Sequence, residues 1–163
     1  GVAPDTDEML STIPPRANGG NMDDPNLTEG TTVYFPVFVK GALFSIGDAH
    51  AIQGLGEVCG TAIEAPMTIT YRLRVIKNKP AIKEPQYEND DIYAVTGFGE
   101  TIDIATKKAV NYMIDHLSNN YDITEEDAYM LCSLVGDLHI AEVVDVPNML
   151  VTMHFPKNII KQL

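Results

Sequence analysis

Residues 66–77, PMTITYRLRVIK, constrain the fold more than any other part of this sequence. Apolar residues occupy every second position, and threonine or arginine occupies most of the positions between them. Successive side chains of an extended chain point to opposite faces, so this alternation is typical of a half-buried strand. The apolar positions are Met67, Ile69, Tyr71, Leu73 and Val75. We therefore predict a strand here with one face against a core.

Six further segments are rich in β-branched or aromatic residues, which favours strands. They are TTVYFPVFV (31–39), ALFSIG (42–47), VCGTAIE (58–64), IYAVTGF (92–98), LHIAEVVDV (138–146) and MLVTMHF (149–155). Pro36 indicates that the middle of the first segment lies at a sheet edge or in a bulge, because proline cannot donate a ladder hydrogen bond.

Two helices are predicted between the fifth strand and the last two. Residues 101–120 carry apolar side chains at spacings of three and four, the stripe of an amphipathic helix. The second helix opens at Thr124, with Asp127 placed for a capping-box-like pair, and stops near Gly136. This order predicts a mainly β protein with two helices (α+β), an antiparallel β-sandwich-type domain over residues 1–163. Residues 1–30 are rich in proline and glycine and predict a loop-rich entry segment.

Composition excludes several classes of partner. The 163 residues contain 11 basic and 23 acidic side chains, a formal charge of −12. Nucleic acids and anionic membrane surfaces require basic patches, so neither is an expected partner. Two cysteines are too few for a disulfide framework, which favours a reduced, cytoplasmic setting.

The glycine-rich segment 47–57 is the richest in groups that can do chemistry. Asp48 and His50 are two residues apart, so an extended backbone would place both side chains on one face. A carboxylate and an imidazole in that arrangement can hold a divalent metal or form an acid–base pair. The alternative is a turn in which Asp48 caps backbone amides and His50 is a partly exposed neighbour.

Asn21 and Asp23 form a second candidate, because they offer oxygen ligands from a Gly-Gly turn. An Asx-type turn without a ligand is the alternative there. Cys59 is a candidate nucleophile with His50 as its base, although a buried cysteine is more often a small hydrophobic residue. Cys132 is predicted to lie in the core, and His116 on a solvated helix face.

Two long motifs carry a resemblance to a known family. IPPRANGGNMD followed by LTEGTTVYFPVFVKGALFSIGDAHAIQGLGEVCGTAIE, and LCSLVGDLHIAEVVDVPN near the C-terminus, closely resemble the acetamidase/formamidase family. The resemblance covers essentially the whole chain. It implies a cytoplasmic hydrolase that cleaves short amides, such as formamide, acetamide or a small lactam, to a carboxylate and ammonia or an amine. It also implies a β-rich fold of sandwich type, homo-oligomeric assembly and a divalent metal, with zinc expected and calcium as the alternative.

Carried over residue by residue, the resemblance points to six positions, and the division of roles among them is our inference. Asp48, His50 and Asp23 are expected to bind the metal. Glu57 is expected to be the general base, and Gln53 and Asn21 to orient the amide. A Cys59-dependent hydrolase and a non-catalytic subunit of a split amidase stay as alternatives.

The sequence departs from the family pattern in two respects. Family members are about twice as long, so this chain resembles their C-terminal half and is expected to associate with an upstream segment or with copies of itself. The family usually has Gly-Asp-Gly-Glu where this chain has Gly54-Leu55-Gly56-Glu57. Leucine removes two acceptor oxygens from that position, which affects either a metal contact or a supporting hydrogen bond.

Overall fold

The computed structural model describes all residues from Gly1 to Leu163. Seven strands and three helices follow one another along the chain. They are β1 (Thr32–Tyr34), β2 (His50–Ile52), β3 (Ile63–Glu64), β4 (Gln86–Glu88), β5 (Ile92–Gly99), α1 (Ile102–Asn120), α2 (Glu125–Val135), β6 (Asp137–Glu142), β7 (Met149–Pro156) and α3 (Lys157–Ile160). The predicted class, antiparallel β structure with two long helices, is confirmed. The four-residue α3 was not predicted.

Five strands form the main sheet in the order β1-β4-β5-β7-β6, and every neighbouring pair is antiparallel. The longest pairing joins β5 to β7, from Ile92 opposite Pro156 to Gly99 opposite Met149. The strands β2 and β3 form a separate two-stranded ribbon outside this sheet.

Both predicted helices are present, and each begins where its cap residue places it. The hydroxyl of Thr101 accepts the N–H of Ile104, and that of Thr124 accepts the N–H of Asp127. Both helices pack on one face of the main sheet, where their buried side chains meet those of β5 and β7. This core comprises Val95, Ala105, Ala109, Met113, Leu117, Ala128, Cys132, Val151, Met153 and Phe155. Cys132 is thus a core residue, as predicted.

Gly97 permits the closest approach between β5 and α1. A Cβ atom at this position would lie 2.7 Å from the backbone nitrogen of Ala109 and would overlap the carbonyl oxygen of Ala105. Backbone atoms of a packed helix cannot retreat without moving the helix. We therefore expect Gly97→Ala to lower the free energy of unfolding by about 3 kcal/mol, at the upper end for overpacked cores.

Chemical denaturation measures this effect, and Gly47→Ala is the control because no atom lies within 4 Å of a Cβ there. Equal stability of the two variants would contradict the close packing.

Loops cover the opposite face of the main sheet, and they carry the candidate site. Phe98, Ala141 and Leu150 form a small apolar cluster there, and Met22 packs against it. Asp23, Asp24 and Glu142 are buried beside this cluster. Polar side chains from the entry segment therefore meet the sheet on the face that the helices leave free.

Several strand predictions are wrong, and the segments concerned are turns or isolated extended chain. Residues 42–47 contain no strand, and only residues 32–34 and 63–64 of two longer predicted segments pair with a neighbour. Positive φ angles of Ala42 and Leu43 turn the chain where a strand was predicted. These segments are apolar, but no strand edge lies beside them to complete their hydrogen bonds.

The strongly alternating segment 66–77 is extended but belongs to no sheet; we call it the extended arm. Residues 66–83 neither donate nor accept a backbone–backbone hydrogen bond. The five alternating apolar side chains of the arm are between 43% and 78% exposed. The prediction of a strand with one buried face is therefore wrong in this chain, because the apolar side chains stay exposed, including Tyr71, whose ring packs against that of Phe44.

Two predictions about single residues are also corrected. His116 does not lie on a solvated face, because its ring stacks on Tyr93 with centroids 3.8 Å apart and its Nε2 atom is buried. Cys59 lies in a turn and is exposed rather than buried at the start of a strand.

No helix of this fold combines the length and the hydropathy that a membrane span requires.

Candidate active site

The pairing of β2 with β3 determines the position of His50. The register places His50 opposite Glu64, and directly opposed residues of an antiparallel pair share a face. The Nε2 atom of His50 is therefore 3.2 Å from a carboxylate oxygen of Glu64, and it is 3.7 Å from Oδ1 of Asp48. Asp48 has a φ of 57°, so it approaches His50 from a turn rather than from the predicted extended segment.

Gln53 holds the His50 ring in one orientation. Its Oε1 atom is 3.0 Å from Nδ1 of His50, and its Nε2 atom donates to the carbonyl oxygen of Asp23 at 2.6 Å. An amide oxygen can only accept, so Nδ1 carries the proton and donates. In the neutral imidazole this leaves the lone pair of Nε2 free, the arrangement typical of a metal-binding histidine.

A short bridge joins the segment 47–57 to the main sheet. The N–H of Gly56 donates to the carbonyl of Ala141 at 2.9 Å, and the N–H of Val143 donates to the carbonyl of Gly56 at 3.1 Å. Gly56 has a φ of 90°, a conformation that glycine adopts without strain. This bridge brings Glu57 to the end of β6, beside Glu142.

The loop around Asp23 closes the site from the other side. The backbone N–H of Asp23 donates to Oε2 of Glu142 at 3.2 Å, and Asn21 donates its side-chain amide to Oδ2 of Asp145. Glu142 is completely buried, and its Oε1 atom has no hydrogen-bond partner. The site therefore contains a buried polar atom that no protein group satisfies.

Burial and mutual repulsion perturb the carboxylates of the site. Desolvation raises the pKa of Asp23 to about 7, with further contributions from Glu57 and Asp145. Desolvation, followed by the charges of Asp145, Asp23 and Glu57, raises the pKa of Glu142 to about 9. The pKa of Glu57 is also raised, again mainly by desolvation. Crowded carboxyl groups of this kind are typical of functional sites.

His50 is the one basic side chain within salt-bridge distance of a carboxylate of the site, since its imidazole lies near Asp48 and Glu64 and every lysine ion pair lies elsewhere. Burial lowers the pKa of His50, but the hydrogen bond with Gln53 and the charges of Glu64, Asp23 and Asp48 outweigh it and raise the pKa overall. The site thus carries an excess of acidic groups that a bound cation would offset.

Three groups of side chains have ligand atoms within 4.8 Å of one another. They are Asp23 with His50 and Glu57, Asp48 with His50 and Glu64, and Asp23 with Glu142 and Asp145. His50 belongs to the first two groups and Asp23 to the first and third. The first group is mostly buried, whereas the side chains of Asp48 and Glu64 are 62% and 54% exposed.

An open groove of about 540 Å³ adjoins His50. Asp48 and Glu64 form its polar wall, and Met67, Ile69 and Tyr71 of the extended arm form its apolar wall. The groove thus lies beside the residues that flank His50, and His50 itself is not among its lining residues.

The chain matches one protein family along nearly its whole length. Residues 3–162 match the sequence profile of the acetamidase/formamidase family. The chain belongs to this family. It is 34% identical over 173 aligned residues to a formamidase of Methylophilus methylotrophus, an alignment that covers 93% of this chain and 42% of that protein.

Two solved structures of the family have the same fold. The acetamidase of Bacillus halodurans matches with a TM-score of 0.84 at 29% identity, over 100% of this chain and 54% of that one. The predicted acetamidase/formamidase of Thermoanaerobacter tengcongensis matches with a TM-score of 0.88 at 32% identity, over 99% and 53%. The chain thus spans about half the length of these relatives.

The structure gathers the six site residues expected from sequence around His50 and the end of β6. Both polar atoms of Gln53 are engaged by protein groups, so this side chain supports His50 and the Asp23 loop. Leu55 is 50% exposed, which places the family's usual aspartate position outside the buried cluster.

Three further carboxylates of the site, Glu64, Glu142 and Asp145, were not predicted from the sequence. Glu142 and Asp145 both lie in the LHIAEVVDV segment, which was interpreted as a strand and as part of the family resemblance, without a role for either acid. Acidic residues within so apolar a segment were the available signal, because a carboxylate in a buried strand needs a partner.

We expect the stability of the metal-free chain to fall as the pH rises from 7 to 9, above the range in which His116 and His154, whose pKa values are lowered to about 4, make stability rise with pH. A carboxyl group whose pKa is raised in the folded state keeps its proton at pH values where the unfolded chain has already lost it. Its contribution to stability therefore declines as the pH rises and is gone above the folded-state pKa. Asp23 and Glu142 both act in this direction. Between pH 7 and 9, Glu142 alone contributes a slope of up to about 1.4 kcal/mol per pH unit.

Urea denaturation in the presence of a chelator measures this slope. Glu142→Gln is neutral at every pH and is expected to flatten it, whereas Glu125→Gln on the exposed start of α2 retains it. An unchanged slope in Glu142→Gln would contradict the assignment.

Proposed function

We propose that this chain supplies the site of a hydrolase that cleaves short-chain amides, such as formamide or acetamide, to a carboxylate and ammonia. The observation that carries the proposal is the convergence of His50 with the buried carboxylates Asp23 and Glu57, in a chain of the acetamidase/formamidase family. A small lactam, whose product would be an amine, is a further candidate substrate.

A divalent metal fits the donor set, and we propose zinc, with calcium as the alternative. Imidazole nitrogen and carboxylate oxygen are common zinc ligands, and the Gln53 hydrogen bond leaves Nε2 of His50 for the cation. We assign His50, Asp23 and Asp48 as ligands, since each carboxylate lies close to the imidazole, Asp23 in the group with Glu57 and Asp48 in the group with Glu64. When bound, a divalent cation stabilises a developing oxyanion and makes nearby water more acidic.

Glu57 is the proposed general base. Its ligand atom lies within 4.8 Å of those of Asp23 and His50, a separation that one water molecule can bridge. Burial raises its pKa toward neutrality, which favours proton transfer in both directions. Glu57 takes the proton of the attacking water and returns it to the leaving nitrogen, while Asn21 orients the amide and Gln53 holds His50.

Ammonia release from formamide, acetamide and a small lactam tests the proposal, with metal content measured on the same sample. Treatment with a chelator is expected to abolish release, and added zinc to restore it. Binding of the amides without any release would instead favour a non-catalytic subunit.

The thiol alternative predicts that Cys59 is essential. Cys59 donates its S–H to the carbonyl of Thr61 at 3.6 Å and makes no hydrogen bond with His50. We therefore expect Cys59→Ser to keep kcat within about twofold, because water rather than sulfur is the nucleophile. Loss of activity with retained fold and metal content would support the thiol route.

We also propose that the extended arm is covered in the working enzyme, either by polypeptide equivalent to the unmatched part of the relatives or by a second copy in a homo-oligomer. Unpaired backbone groups and exposed apolar side chains in one segment support this proposal. The free cysteines support a cytoplasmic location, where thiols stay reduced.

A further inference from the structure

A buried polar network lies directly behind Asp23, on the sheet face opposite the helices. Oδ2 of Asp24 accepts the hydroxyl proton of Tyr87 at 2.6 Å. Oδ1 of Asp24 accepts both the backbone N–H and the side-chain amide of Asn26, at 2.9 and 2.7 Å. Asp24, Tyr87 and His154 are all buried. Each oxygen of the Asp24 carboxylate is thus held by a protein donor.

The hydrogen bonds of this network run in one direction, from His154 through Tyr87 to Asp24. A carboxylate has no proton to give, so the Tyr87 hydroxyl must donate to Asp24. Nε2 of His154, 2.8 Å from the same hydroxyl oxygen, then carries its own proton and donates to Tyr87. Oγ1 of Thr152 lies 3.0 Å from this nitrogen. Burial and the neighbouring His139 lower the pKa of His154 to about 4, which is consistent with a neutral imidazole in this role.

The Asp23–Asp24 pair is consequently anchored from two opposite sides. On the site side, the N–H of Asp23 donates to Glu142 and its carbonyl accepts from Gln53. On the sheet side, Asp24 is held by Tyr87 on β4, and Tyr87 is held by His154 on β7. Because these hydrogen bonds hold both residues, the side chains of Asp23 and Asp24 cannot move independently of each other.

We propose that Tyr87 is a positioning residue that acts through Asp24 to hold Asp23 in place at the site. The inference deepens the proposed amide hydrolysis and rests on it for its catalytic meaning. Tyr87 is neither in the groups of candidate ligands nor in the lining of the groove. It determines where the Asp23 carboxylate stands relative to His50 and Glu57.

Tyr87→Phe is the decisive variant, because it removes only the hydroxyl and keeps the buried ring. Tyr93→Phe is its matched control. Tyr93 lies on the neighbouring strand and donates its hydroxyl to Gln86 on the helix side of the sheet, away from the site. A role in packing alone predicts the same behaviour from both variants.

Three measurements are made on each variant of the full chain. They are kcat and KM for formamide, the dissociation constant for zinc after chelator treatment, and hydrogen exchange of the Asp23 backbone N–H. For Tyr87→Phe we expect kcat and zinc affinity each to fall about tenfold, KM to change less than twofold, and Asp23 exchange to rise at least tenfold. Tyr93→Phe is expected to stay within twofold in all three.

A double-mutant cycle tests whether the effect passes through Asp24. In an Asp24→Asn background, Tyr87→Phe is expected to change zinc affinity and Asp23 exchange less than threefold. Full additivity, or equal behaviour of Tyr87→Phe and Tyr93→Phe, would overturn the proposal. If the wild-type chain releases no ammonia, the proposed hydrolysis fails by itself, and Asp23 exchange still decides the positioning role.

Discussion

Glu57→Gln is expected to lower kcat for formamide by about 10²–10⁴-fold, the usual contribution of a general base. The amide of glutamine occupies the same volume but cannot take a proton from water. Glu57 lies in a strained backbone position with a φ of 42°, which the substitution retains. Parallel assays of ammonia release and zinc binding measure the effect.

Zinc affinity separates the two roles that the geometry offers Glu57. If Glu57 is the base, Glu57→Gln keeps zinc affinity within about threefold of the wild type, whereas Asp23→Asn loses both affinity and activity. Loss of zinc from Glu57→Gln would make Glu57 a ligand with Asp23 and His50. Glu125→Gln, an exposed substitution on α2, is the control for general effects of lost charge. A kcat within threefold of the wild type would exclude either role.

The second large effect concerns association. Expressed alone, the chain is expected to sediment as a dimer or larger species at micromolar concentration, because the extended arm offers an unpaired edge with an apolar face. Leu73→Lys places a charge in the middle of that face and is expected to shift the chain to a monomer. Leu73 is 63% exposed, so the substitution leaves the core intact.

Arg72→Lys keeps the charge on the opposite face of the arm and serves as the matched control. A wild-type chain that sediments as a monomer at 100 μM would contradict the proposed role of the arm. Analytical ultracentrifugation across a concentration series distinguishes these outcomes.

Association and activity are connected through the groove beside His50. Met67, Ile69 and Tyr71 of the arm form one wall of the groove, opposite Asp48 and Glu64. Whatever covers the arm therefore also covers part of this groove. Leu73→Lys removes that cover without changing a residue that lines the groove. It is therefore expected to raise KM for formamide more than it lowers kcat.

The sequence was sufficient for the parts of the fold whose signals are local. The stripe of α1, the cap at Thr124, the end of α2 at Gly136 and the long strands β5 and β7 all appear where the pattern predicted them. Helix caps and periodic burial depend on residues a few positions apart, so they are readable without knowledge of the rest of the chain.

The same reasoning was misleading for the extended arm. Its alternation is the clearest in the chain, yet it pairs with nothing here, because a strand requires a neighbouring edge that the pattern itself does not contain. The short β1 and β3 illustrate the same point, since only the residues facing a partner became strand.

The candidate site likewise contains residues that the sequence predicts and residues that only the structure reveals. Sequence alone identified Asp48, His50, Gln53 and Glu57, because they are crowded into one glycine-rich segment, and Asn21 and Asp23 because they lie in a turn of oxygen donors. Only the tertiary structure decided that Glu142 and Asp145, more than 80 residues further along the chain, stand beside them. The bridge from Gly56 to β6 brings the two segments together. Its hydrogen bonds join residues that are too far apart in the chain to produce a periodic sequence pattern. The chemistry of the donors was thus readable from residue type and local spacing, whereas their convergence, burial and perturbed pKa values arise from contacts between distant segments.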